Sequence, residues 1–478
     1  GTSNINSMTY IRGSRHDYDL WAGLGCEGWG YKDVLPYFIK SESNEGKQML
    51  QDGYHGQDGP QKIDTTNPSP MIDLQLKAGL ELGLKQIDPN GENLMQGVVR
   101  TQATIHKGER WGTSRSYLHS VLNRTNLHIV DNAHVTKVLF EEKRAVGVEF
   151  VKNSRIQRVS VRREVILSAG AIGSAQLLLL SGVGPKQHLT NLSIPVVADL
   201  PVGENLQDHL FLTYQIGFNQ SVSAAPDLTS LWTRLQYTLF GSGPLSSSVG
   251  GGVQIFASTD EESQKEGWPD IQLILLGRLF DPNKLRIYGF SEESIQELKQ
   301  PEKFEDGFPC LALHLRPKSK GTIRLKSRDS SDYPLIDPNY LSHPDDVDAI
   351  VRGIRQCQKL TITTSMQTLG AKPADPPSSF CSSRHGYDTD AYWRCRVQRH
   401  AQTMYHPVGT SIMGGQGRPE TVVDPKLRVQ GIKGLRVADA SIMPSIVSGN
   451  TNAPVIMIAE KAADLIRHDR LAAHDSRA

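Results

Sequence analysis

The chain has 478 residues, of which 38% are hydrophobic and 22% charged, with a formal net charge of +1. These values fit a soluble globular protein with enough residues for two or three domains. The balanced charge gives neither a basic footprint nor an acidic tail, which excludes the usual nucleic-acid-binding classes.

The first half of the chain contains a predicted α/β unit. Residues 126–151 are predicted to form short strands joined by a charged hairpin turn. A strand over Glu164–Ser168, a glycine turn and a helix over Ser174–Leu180 then follow, as in a parallel α/β sheet. The enclosing stretch Val165–Gly184 is the most apolar part of the chain, but its glycines and polar side chains argue against a membrane span.

The centre of the chain has a different character. "DIQLILL" (270–276) and "CLALHLRPKSKGTIRLKS" (310–327) alternate apolar and polar residues. The leucines of the second stretch share one face, and Ile323 and Leu325 follow them after a lysine–glycine turn. This pattern predicts an antiparallel hairpin with one solvent-facing side, and hence a second, mostly antiparallel domain.

The C-terminal part returns to α/β character. A strand is predicted over Leu435–Asp439, then a long loop, then a helix from about Ala453. Asn452 suits the N-cap, and Pro454 suits the first turn, where a missing N–H costs nothing. An α/β domain built from both ends of the chain is discontinuous, so we predict an α/β fold that is α+β overall.

The cysteines give no metal signal. None of the five is in C-x-x-C spacing, which argues against a zinc site. Cys381 and Cys395 can pair, and the odd count leaves one thiol free or paired outside this sequence. Three N-x-S/T sequons, at Asn123, Asn191 and Asn219, weakly favour a secreted glycoprotein.

One of the 15 histidines has an unusual setting. His406 lies in "MYHPVGTSIMGG", where Pro407 restricts the backbone of His406 away from the helical region. The glycines that follow are typical of a loop that approaches a ligand closely. The ordinary alternative, a surface or core histidine, stays open on local features alone.

Two further places are suited to ligands. "SGNTNAP" ends at a predicted helix N-terminus, whose free N–H groups and dipole attract negative charge, such as that of a reduced flavin. Asp439 ends a strand of the α/β domain, where ligands bind in such folds. An ordinary capped helix and a structural turn aspartate are the alternatives.

A metal site is not predicted. "LPVGENLQDHL" (200–210) places Glu204, Asp208 and His209 around Asn205, but this spacing matches no standard metal site. The G-x-S-x-G, G-x-x-x-x-G-K-[ST] and H-E-x-x-H motifs do not occur in the chain.

Several stretches together resemble one family along essentially the whole chain. They are "GTSNINSMTYIRG", "DYDLWAGLGCEGWGYKDVLPYF", "GAIGSAQLLLLSGVG", "LPVGENLQDHL", "HPVGTSIMG" and "GLRVADASIMPSIVSGNTNAPVIMIAEKAADLI". The family is the glucose–methanol–choline (GMC) oxidoreductases, and the wording is most similar to its arthropod glucose-dehydrogenase-like and choline-dehydrogenase-like branches. The resemblance implies a discontinuous Rossmann-like FAD-binding domain and a mostly antiparallel-sheet substrate domain.

The resemblance also implies how the chain is divided. Residues 1–110 correspond to an FAD-contacting motif and a flavin-covering extension, and 111–209 continue the FAD-binding domain. Residues 210–405 correspond to the substrate-binding domain, and 406–478 to the catalytic loop and the return to the FAD-binding domain. In the family a βαβ unit with a G-x-G-x-x-G fingerprint comes first, so we expect a segment before Gly1, as a second chain or outside this sequence.

The site residues carry over from the family position by position. His406 matches the catalytic base and Asn450 the second catalytic position. Some relatives link a histidine covalently to the flavin, but Ile5 stands at that place in this chain, so non-covalent FAD is expected. The cofactor contacts implied by the resemblance are Thr2, Asn6, Ser7, Met8 and Thr9 for the flavin and ribityl chain, Val135 for the adenine, Asp439 and Ala440 at a strand end, and Ala453 and Pro454 beneath the pyrimidine edge.

The implied reaction is FAD-dependent oxidation of a primary or secondary alcohol. His406 would accept the hydroxyl proton and Asn450 would donate to the alkoxide while hydride passes to flavin N5. O2 or another electron acceptor would complete the cycle, with neither nucleic acid nor membrane as partner. A hydroxynitrile lyase that uses the same fold without redox chemistry is the alternative, and a non-catalytic binding protein is disfavoured because both His406 and Asn450 are present.

The substrate is less defined by the sequence. The predicted substrate domain is rich in aromatic residues, which favours an aromatic alcohol or a cyanohydrin such as mandelonitrile, while a sugar stays open. Core packing is the ordinary role of such residues. The aromatic residues considered are Trp232, Tyr237, Phe240, Trp268, Phe280 and Tyr405.

Overall fold

A computed structural model provides the structure of the chain. It describes residues 1–45, 53–65, 69–92, 95–222, 229–246, 252–279, 285–287, 289–299, 304–415 and 417–475. Phe280 lies outside the described residues. No helix in these ranges is long and apolar enough to cross a membrane.

Helices occur along the whole length of the described chain. In chain order they are α1 (Arg15–Gly23), α2 (Tyr31–Ser41), α3 (Pro70–Glu81), α4 (Gly170–Leu180), α5 (Lys186–Asn191), α6 (Leu231–Phe240), α7 (Glu261–Glu266), α8 (Glu292–Glu297), α9 (Pro344–Thr361), α10 (Thr364–Gln367), α11 (Ser379–His385), α12 (Asp390–His400) and α13 (Asn452–Asp475).

Strands lie between these helices, with a run of consecutive strands between α3 and α4. In chain order they are β1 (Glu42–Asn44), β2 (Gln61–Thr65), β3 (Gly97–Arg100), β4 (Gln102–Ala103), β5 (Ile105–His106), β6 (Glu109–Arg110), β7 (His134–Glu141), β8 (Arg144–Lys152), β9 (Arg155–Ser160), β10 (Val165–Leu167), β11 (Leu210–Phe218), β12 (Val253–Ala257), β13 (Ile271–Leu275), β14 (Asp306–His314), β15 (Thr322–Arg324), β16 (Leu335–Asp337), β17 (Lys372–Pro373), β18 (Gln402–Thr403) and β19 (Leu435–Val437).

The two ends of the chain meet in a parallel strand pair. Strand β10 pairs in parallel with β19, with Leu167 opposite Val437. Helix α4 follows β10 and begins at Gly170, four residues before the predicted start, because the Asp439 carboxylate accepts the Gly170 N–H (3.0 Å). Helix α13 likewise begins at Asn452, which is therefore the first helical residue and not the predicted cap.

The predicted discontinuous α/β arrangement is confirmed by this pair and by the packing around it. One core combines α4, the parallel pair and α13 with α1 and α2 from the N-terminal region. The hairpin predicted within 126–151 is also present, as antiparallel β7 and β8, which β9 extends to a three-stranded sheet. The α/β layer therefore draws on residues from the beginning, middle and end of the chain.

The central sheet is antiparallel and much larger than the predicted hairpin. Its order is β17-β11-β14-β13-β12-β3, and β18 also pairs with β11. Helices α9 and α12 pack on one face, in a core that includes residues of every long strand. The predicted substrate-domain boundaries stay a prediction; β3, which joins this sheet, lies outside 210–405.

The hairpin predicted within 310–327 is wrong in two respects. Strand β14 pairs with β11 and β13, whereas β15 pairs with β16. Strand β14 also has no solvent-facing side, because one face packs in the core with α9 and the other face carries Leu311 and Leu313 into a second apolar cluster. The residues that were expected to face solvent are also buried in this strand. The alternating pattern therefore did not indicate a solvent-exposed face.

Two disulfides strengthen the region around the sheet. Cys310 of β14 bonds to Cys357 of α9, and Cys381 of α11 bonds to Cys395 of α12. The second pairing is the one that the sequence suggested. Cys26 is free and buried.

We expect the two disulfides to contribute unequally to stability. The sequence separations are 47 and 14 residues. A loop-closure argument then assigns about 4 kcal/mol to the longer loop and about 3 kcal/mol to the shorter one. Urea unfolding of Cys310→Ala/Cys357→Ala and Cys381→Ala/Cys395→Ala should show the larger loss for the first pair.

Cys26→Ala is the matched control for that experiment, since it removes a buried thiol without opening a loop. A loss for Cys26→Ala as large as for either pair would assign the effect to packing and not to cross-linking.

Candidate active site

Two predicted site residues meet between the sheet and the C-terminal loop. His406 lies on the segment after β18, and Asn450 lies two residues before α13. The Asn450 Nδ2 group donates to His406 Nε2 at 3.3 Å. Both side chains are buried. A hydrogen-bond acceptor and a donor therefore lie side by side, close enough to contact one oxygen atom.

The backbone of His406 is held by the "QDH" segment that precedes β11. Asp208 Oδ1 accepts the His406 N–H at 2.7 Å, and the same carboxylate also accepts the hydroxyls of Tyr340 and Thr403. Tyr405 adopts a left-handed φ of 59°, which is uncommon for a residue other than glycine. Strain next to a site residue is typical of functional loops.

A second histidine determines which nitrogen of His406 is free. His209 Nε2 lies 3.0 Å from the carbonyl oxygen of Leu315, and its Nδ1 lies 3.0 Å from His406 Nδ1. A carbonyl can only accept, so His209 Nε2 carries the proton and its Nδ1 accepts. His406 Nδ1 must then donate to His209, which leaves the His406 Nε2 lone pair directed at Asn450.

The charge state of the two imidazoles agrees with this assignment. Burial lowers the pKa of His406 to about 4, and burial followed by the neighbouring His406 lowers the pKa of His209 well below its ordinary value. Both rings are therefore neutral at physiological pH. A neutral imidazole with a free Nε2 is the form that can accept a proton.

The loop that carries Asn450 is anchored by a buried carboxylate. Asp17 accepts the backbone N–H and the hydroxyl of Ser448, both at 2.7 Å, and the indole N–H of Trp268 at 3.1 Å. Gly449 has a φ of 153°, and a Cβ there would lie 2.6 Å from Ile11 Cγ2. The "SGN" spacing therefore serves close packing as well as the position of Asn450.

The floor of the site is the second face of the central sheet. Apolar side chains cover this face, and Gln272 and Gln254 are buried on it. Gln272 Nε2 lies 3.4 Å from Asn450 Oδ1. The apolar residues of this cluster are Ile11, Met95, Val99, Phe211, Phe256, Ile274, Leu311, Leu313 and Leu315.

The predicted flavin-contacting residues near the N-terminus form one compact turn. Thr2 begins a short 3₁₀ helix, and Asn6 Oδ1 accepts the Met8 N–H (3.0 Å) and an N–H of Arg110 (2.9 Å). Met8 has a left-handed φ of 68°, and Thr9 forms a β-bridge with Ala103. Ser7 is half-buried within the same turn.

Ile5 protrudes from this turn with 82% of its surface exposed. An isoleucine side chain offers no nucleophilic atom for a covalent link. The non-covalent attachment expected at this place therefore stays the prediction.

The predicted contacts of the α/β layer lie on separate elements. Asp439 uses both carboxylate oxygens within the protein, on Gly170, Ser174 and Ser441, so any ligand contact there falls to its backbone or to Ala440. The Gly409 N–H donates to the Ala440 carbonyl and so joins this turn to the His406 loop. Val135 is partly exposed on β7, which pairs only with β8 among the described strands.

The start of α13 offers donors to a negatively charged group. Ala453 and Pro454 are buried in the first turn of this 24-residue helix, which begins two residues after Asn450. Pro454 has no N–H, so the donors of this turn are the backbone N–H groups of Asn452 and Ala453. First-turn N–H groups have no partner inside a helix, and the dipole favours negative charge there. This donor set fits a cofactor that gains negative charge on reduction, as flavins do.

The "ENLQDH" cluster has uses other than metal binding. Glu204 pairs with Arg324, Asp208 holds the His406 loop, and His209 contacts His406 and Leu315. Within the described ranges, no group of three potential ligands could hold a metal ion.

The aromatic residues considered for the substrate site mostly lie elsewhere. Trp232, Phe240 and Tyr405 are exposed, and Tyr237 is half-buried. Trp268 is half-buried and donates to Asp17 and Ser448, so it supports the Asn450 loop. The structure thus brings His406 and Asn450 together. The five described aromatic residues are neither part of a buried core nor grouped in one pocket.

Sequence reasoning missed three residues that contact the histidine–asparagine pair. Asp208 and His209 were considered only as metal ligands, and Gln272 was not considered. The signal for Gln272 is a polar residue inside the apolar run "DIQLILL", because a buried amide in a strand needs a partner.

Comparison with known proteins places these observations in a family. The sequence profiles of the N- and C-terminal parts of the GMC oxidoreductases match residues 1–211 and 317–459. The chain is 38% identical to a Drosophila melanogaster glucose dehydrogenase (FAD, quinone) over 473 residues, which is 98% of this chain and 73% of that protein. It is 37% identical to a mitochondrial choline dehydrogenase of Mus musculus, covering 98% of this chain and 74% of that protein.

Solved structures give the same result. An FAD-dependent oxidoreductase from Chaetomium thermophilum superposes with a TM-score of 0.82 at 28% identity, covering 98% of this chain and 86% of that one. Family, fold and donor set therefore agree: the chain belongs to the GMC oxidoreductases and is an FAD-dependent enzyme that oxidises alcohols.

Proposed function

We propose that the protein oxidises a primary or secondary alcohol with His406 as the base and Asn450 as the hydrogen-bond donor to the substrate oxygen. The observation that supports this assignment is the 3.3 Å contact between His406 Nε2 and Asn450 Nδ2. One group accepts a proton and the other donates a hydrogen bond. A hydroxyl oxygen needs both as it becomes an alkoxide.

The proton path follows from the tautomer of His406. The hydroxyl proton moves to His406 Nε2, and the resulting imidazolium keeps its Nδ1–H bond to His209 Nδ1 (3.0 Å). A hydrogen bond from a charged donor is stronger than a neutral one, so His209 stabilises the protonated base. Asn450 meanwhile donates to the developing alkoxide. Bound FAD supplies the chemistry that takes up the hydride of the alcohol carbon.

We propose FAD contacts from three parts of the chain. The N-terminal turn would contribute Thr2, Asn6, Ser7, Met8 and Thr9, and the α13 start Ala453 and Pro454. Val135, Asp439 and Ala440 would contribute from the α/β layer, with Asp439 acting through its backbone. The exposed Ile5 and the absence of a nucleophile on its side chain support non-covalent binding.

The substrate is proposed to be an alcohol with an apolar body. The sheet face beside His406 and Asn450 is formed largely by Phe211, Phe256 and aliphatic side chains. These side chains are themselves buried and form an apolar wall behind the site, which favours an aromatic alcohol or a cyanohydrin such as mandelonitrile over a sugar. O2 or another acceptor would reoxidise the enzyme. The hydroxynitrile lyase alternative has no supporting observation.

We expect His406→Ala to slow anaerobic flavin reduction by about 10²–10⁴-fold, the usual contribution of a positioned base. Asn450→Ala should cost roughly 10²–10³-fold, since it removes one donor to the developing charge. Stopped-flow absorbance of the bound flavin, with benzyl alcohol as electron donor, measures both rate constants.

The flavin spectrum of each variant serves as the control, because both substitutions should leave FAD bound. Near-native reduction by His406→Ala would refute the assignment of the base. Persistent flavin bands together with release of aldehyde and cyanide from mandelonitrile would favour the lyase instead.

We expect the rate of flavin reduction to fall with decreasing pH. The pKa of His406 is lowered to about 4 by burial, so the base is neutral above that value and protonated below it. Activity governed by His406 is therefore retained at neutral pH and lost as the pH decreases through about 4. The profile is measured as the rate of flavin reduction in buffers of constant ionic strength. A fall in this rate centred near the ordinary pKa of histidine would contradict a buried, neutral base.

We also propose a secreted location. Two disulfides are typical of oxidising compartments, and the sequon residues Asn123, Asn191 and Asn219 are all exposed. Protein isolated from its native source should lose mass on treatment with an N-glycosidase. An unchanged mass would leave the disulfides as the sole support for this location.

A further inference from the structure

Two buried glutamines lie on the sheet face beneath the candidate site. Gln254 is on β12 and Gln272 on the neighbouring β13, and neither residue has measurable exposure. Their strands are antiparallel neighbours, with Gln272 opposite Phe256 and Gln254 opposite Ile274. Two amides inside an apolar wall are costly unless their hydrogen bonds are made. One half of each amide is paired, whereas Gln254 Nε2 and Gln272 Oε1 have no hydrogen-bond partner among the described residues.

The contacts of these amides lead to Asn450. Gln272 Nε2 lies 2.9 Å from Gln254 Oε1 and 3.4 Å from Asn450 Oδ1. One N–H group of Gln272 therefore donates to Gln254 Oε1 on the neighbouring strand, and the other donates to Asn450 Oδ1. Gln272 takes no part in proton transfer, since its amide does not titrate.

The hydrogen bonds from Leu315 through His209, His406, Asn450 and Gln272 to Gln254 form one series, and their directions follow from the Leu315 carbonyl at its end. The Leu315 carbonyl only accepts, so His209 donates to it through Nε2, and His406 donates to His209 through Nδ1. His406 Nε2 then accepts from Asn450 Nδ2, and Asn450 Oδ1 must accept from Gln272. Gln254 finally accepts from Gln272. Turning any one amide over would place two acceptors or two donors against each other.

We propose that Gln272, supported by Gln254, is a positioning residue that holds the Asn450 amide with its N–H group, and not its oxygen, directed at His406 Nε2 and the substrate oxygen. This inference rests on the proposed roles of His406 and Asn450. It explains why a polar residue occupies this position of the apolar strand β13.

The test reverses the polarity of the Gln272 side chain. Gln272→Glu has the same shape, and its ionised carboxylate only accepts, so in that form Asn450 must turn its N–H toward the carboxylate and its oxygen toward His406. His406 Nε2 then needs a proton to satisfy that oxygen. Because Nδ1 keeps its proton toward His209, the ring becomes an imidazolium.

Nitrogen NMR of the FAD-bound protein with ¹⁵N-labelled histidine reads out this proton without any substrate. The His406 signals are identified by their loss in His406→Gln. The wild type should show an unprotonated Nε2 at pH 7, and Gln272→Glu a protonated one. The infrared band of the new carboxyl group shows whether it is ionised, and an unprotonated Nε2 in folded, FAD-bound Gln272→Glu with an ionised carboxylate would overturn the inference.

Gln254→Glu is the matched control for the added buried charge. The new carboxylate still accepts from Gln272 Nε2, so Asn450 keeps its direction and His406 Nε2 should stay unprotonated. Protonation of His406 in both variants would mean that charge alone acts, which would also overturn the inference. The titratable groups of the described chain that contact His406 are His209, at Nδ1, and Asp208, at the backbone N–H, and both variants leave these in place.

A neutral variant covers the cases in which Gln272→Glu does not fold or keeps its carboxyl group protonated. Gln272→Met keeps the length of the side chain but removes the donor, and should slow flavin reduction by benzyl alcohol about 10- to 100-fold through misorientation of Asn450. In an Asn450→Ala background the same change should cost nothing further. An equal loss in both backgrounds would show that Gln272 does not act through Asn450.

These outcomes separate the inference from the proposed function. A lack of effect of Asn450→Ala itself would refute the role of Asn450, and with it the kinetic part of the inference. A large effect of Asn450→Ala with no effect of Gln272→Met would refute the role of Gln272 alone.

Discussion

The carbonyl oxygen of Leu315 can accept hydrogen bonds but cannot donate them, and the arrangement of the site depends on that asymmetry. It receives the Nε2 proton of His209, which makes His209 Nδ1 an acceptor and His406 Nδ1 a donor. The lone pair that His406 presents to the site is thus determined by a backbone group at the end of a strand. Backbone groups have no alternative tautomer, so the assignment is stable as long as the strand is in place.

Two buried carboxylates bring the loops of the site together. Asp208 holds the backbone of His406, and Asp17 holds Ser448 two residues before Asn450. Each accepts several N–H or O–H groups, which offset part of the cost of burying a charge, while burial still raises the pKa of both carboxyl groups. The two loops come from distant parts of the chain, so their alignment depends on these polar anchors and on the apolar wall between them. A dry site of this kind also keeps His406 neutral, because burial disfavours the imidazolium.

The general plan of the molecule was predictable from the sequence, and the local partners were not. The strand before α4, the strand before the "SGN" loop and the β7–β8 hairpin follow from periodicity and turn residues. The same periodicity led to a wrong prediction for 310–327. The alternation of apolar and polar residues was interpreted as one solvent-exposed face, whereas both faces of β14 are covered by other parts of the protein. Pairing of β14 with β11 and β13 is a long-range choice that no local pattern encodes.

For the site, His406 was distinguished by the proline and glycines around it, and Asn450 by the family resemblance. The roles of Asp208, His209 and Gln272 became visible only when the fold brought their segments beside those two residues. His209 illustrates the difficulty most clearly. In sequence it neighbours an acidic residue, and the metal site considered there was rejected on spacing without another role being assigned; its partners are a carbonyl and another imidazole.

The pairing of β10 with β19 has a consequence for how the protein is made. Leu167 and Val437 are neighbours in the folded sheet but are separated by more than half of the chain. During translation the strand before α4 therefore emerges long before its partner, while the central sheet between them can already assemble. The apolar helix α4 packs on residues 440–442, so that side stays uncovered until this C-terminal segment is synthesised. Contacts so distant in sequence form slowly, so the apolar surface of α4 is exposed to association with other chains during synthesis.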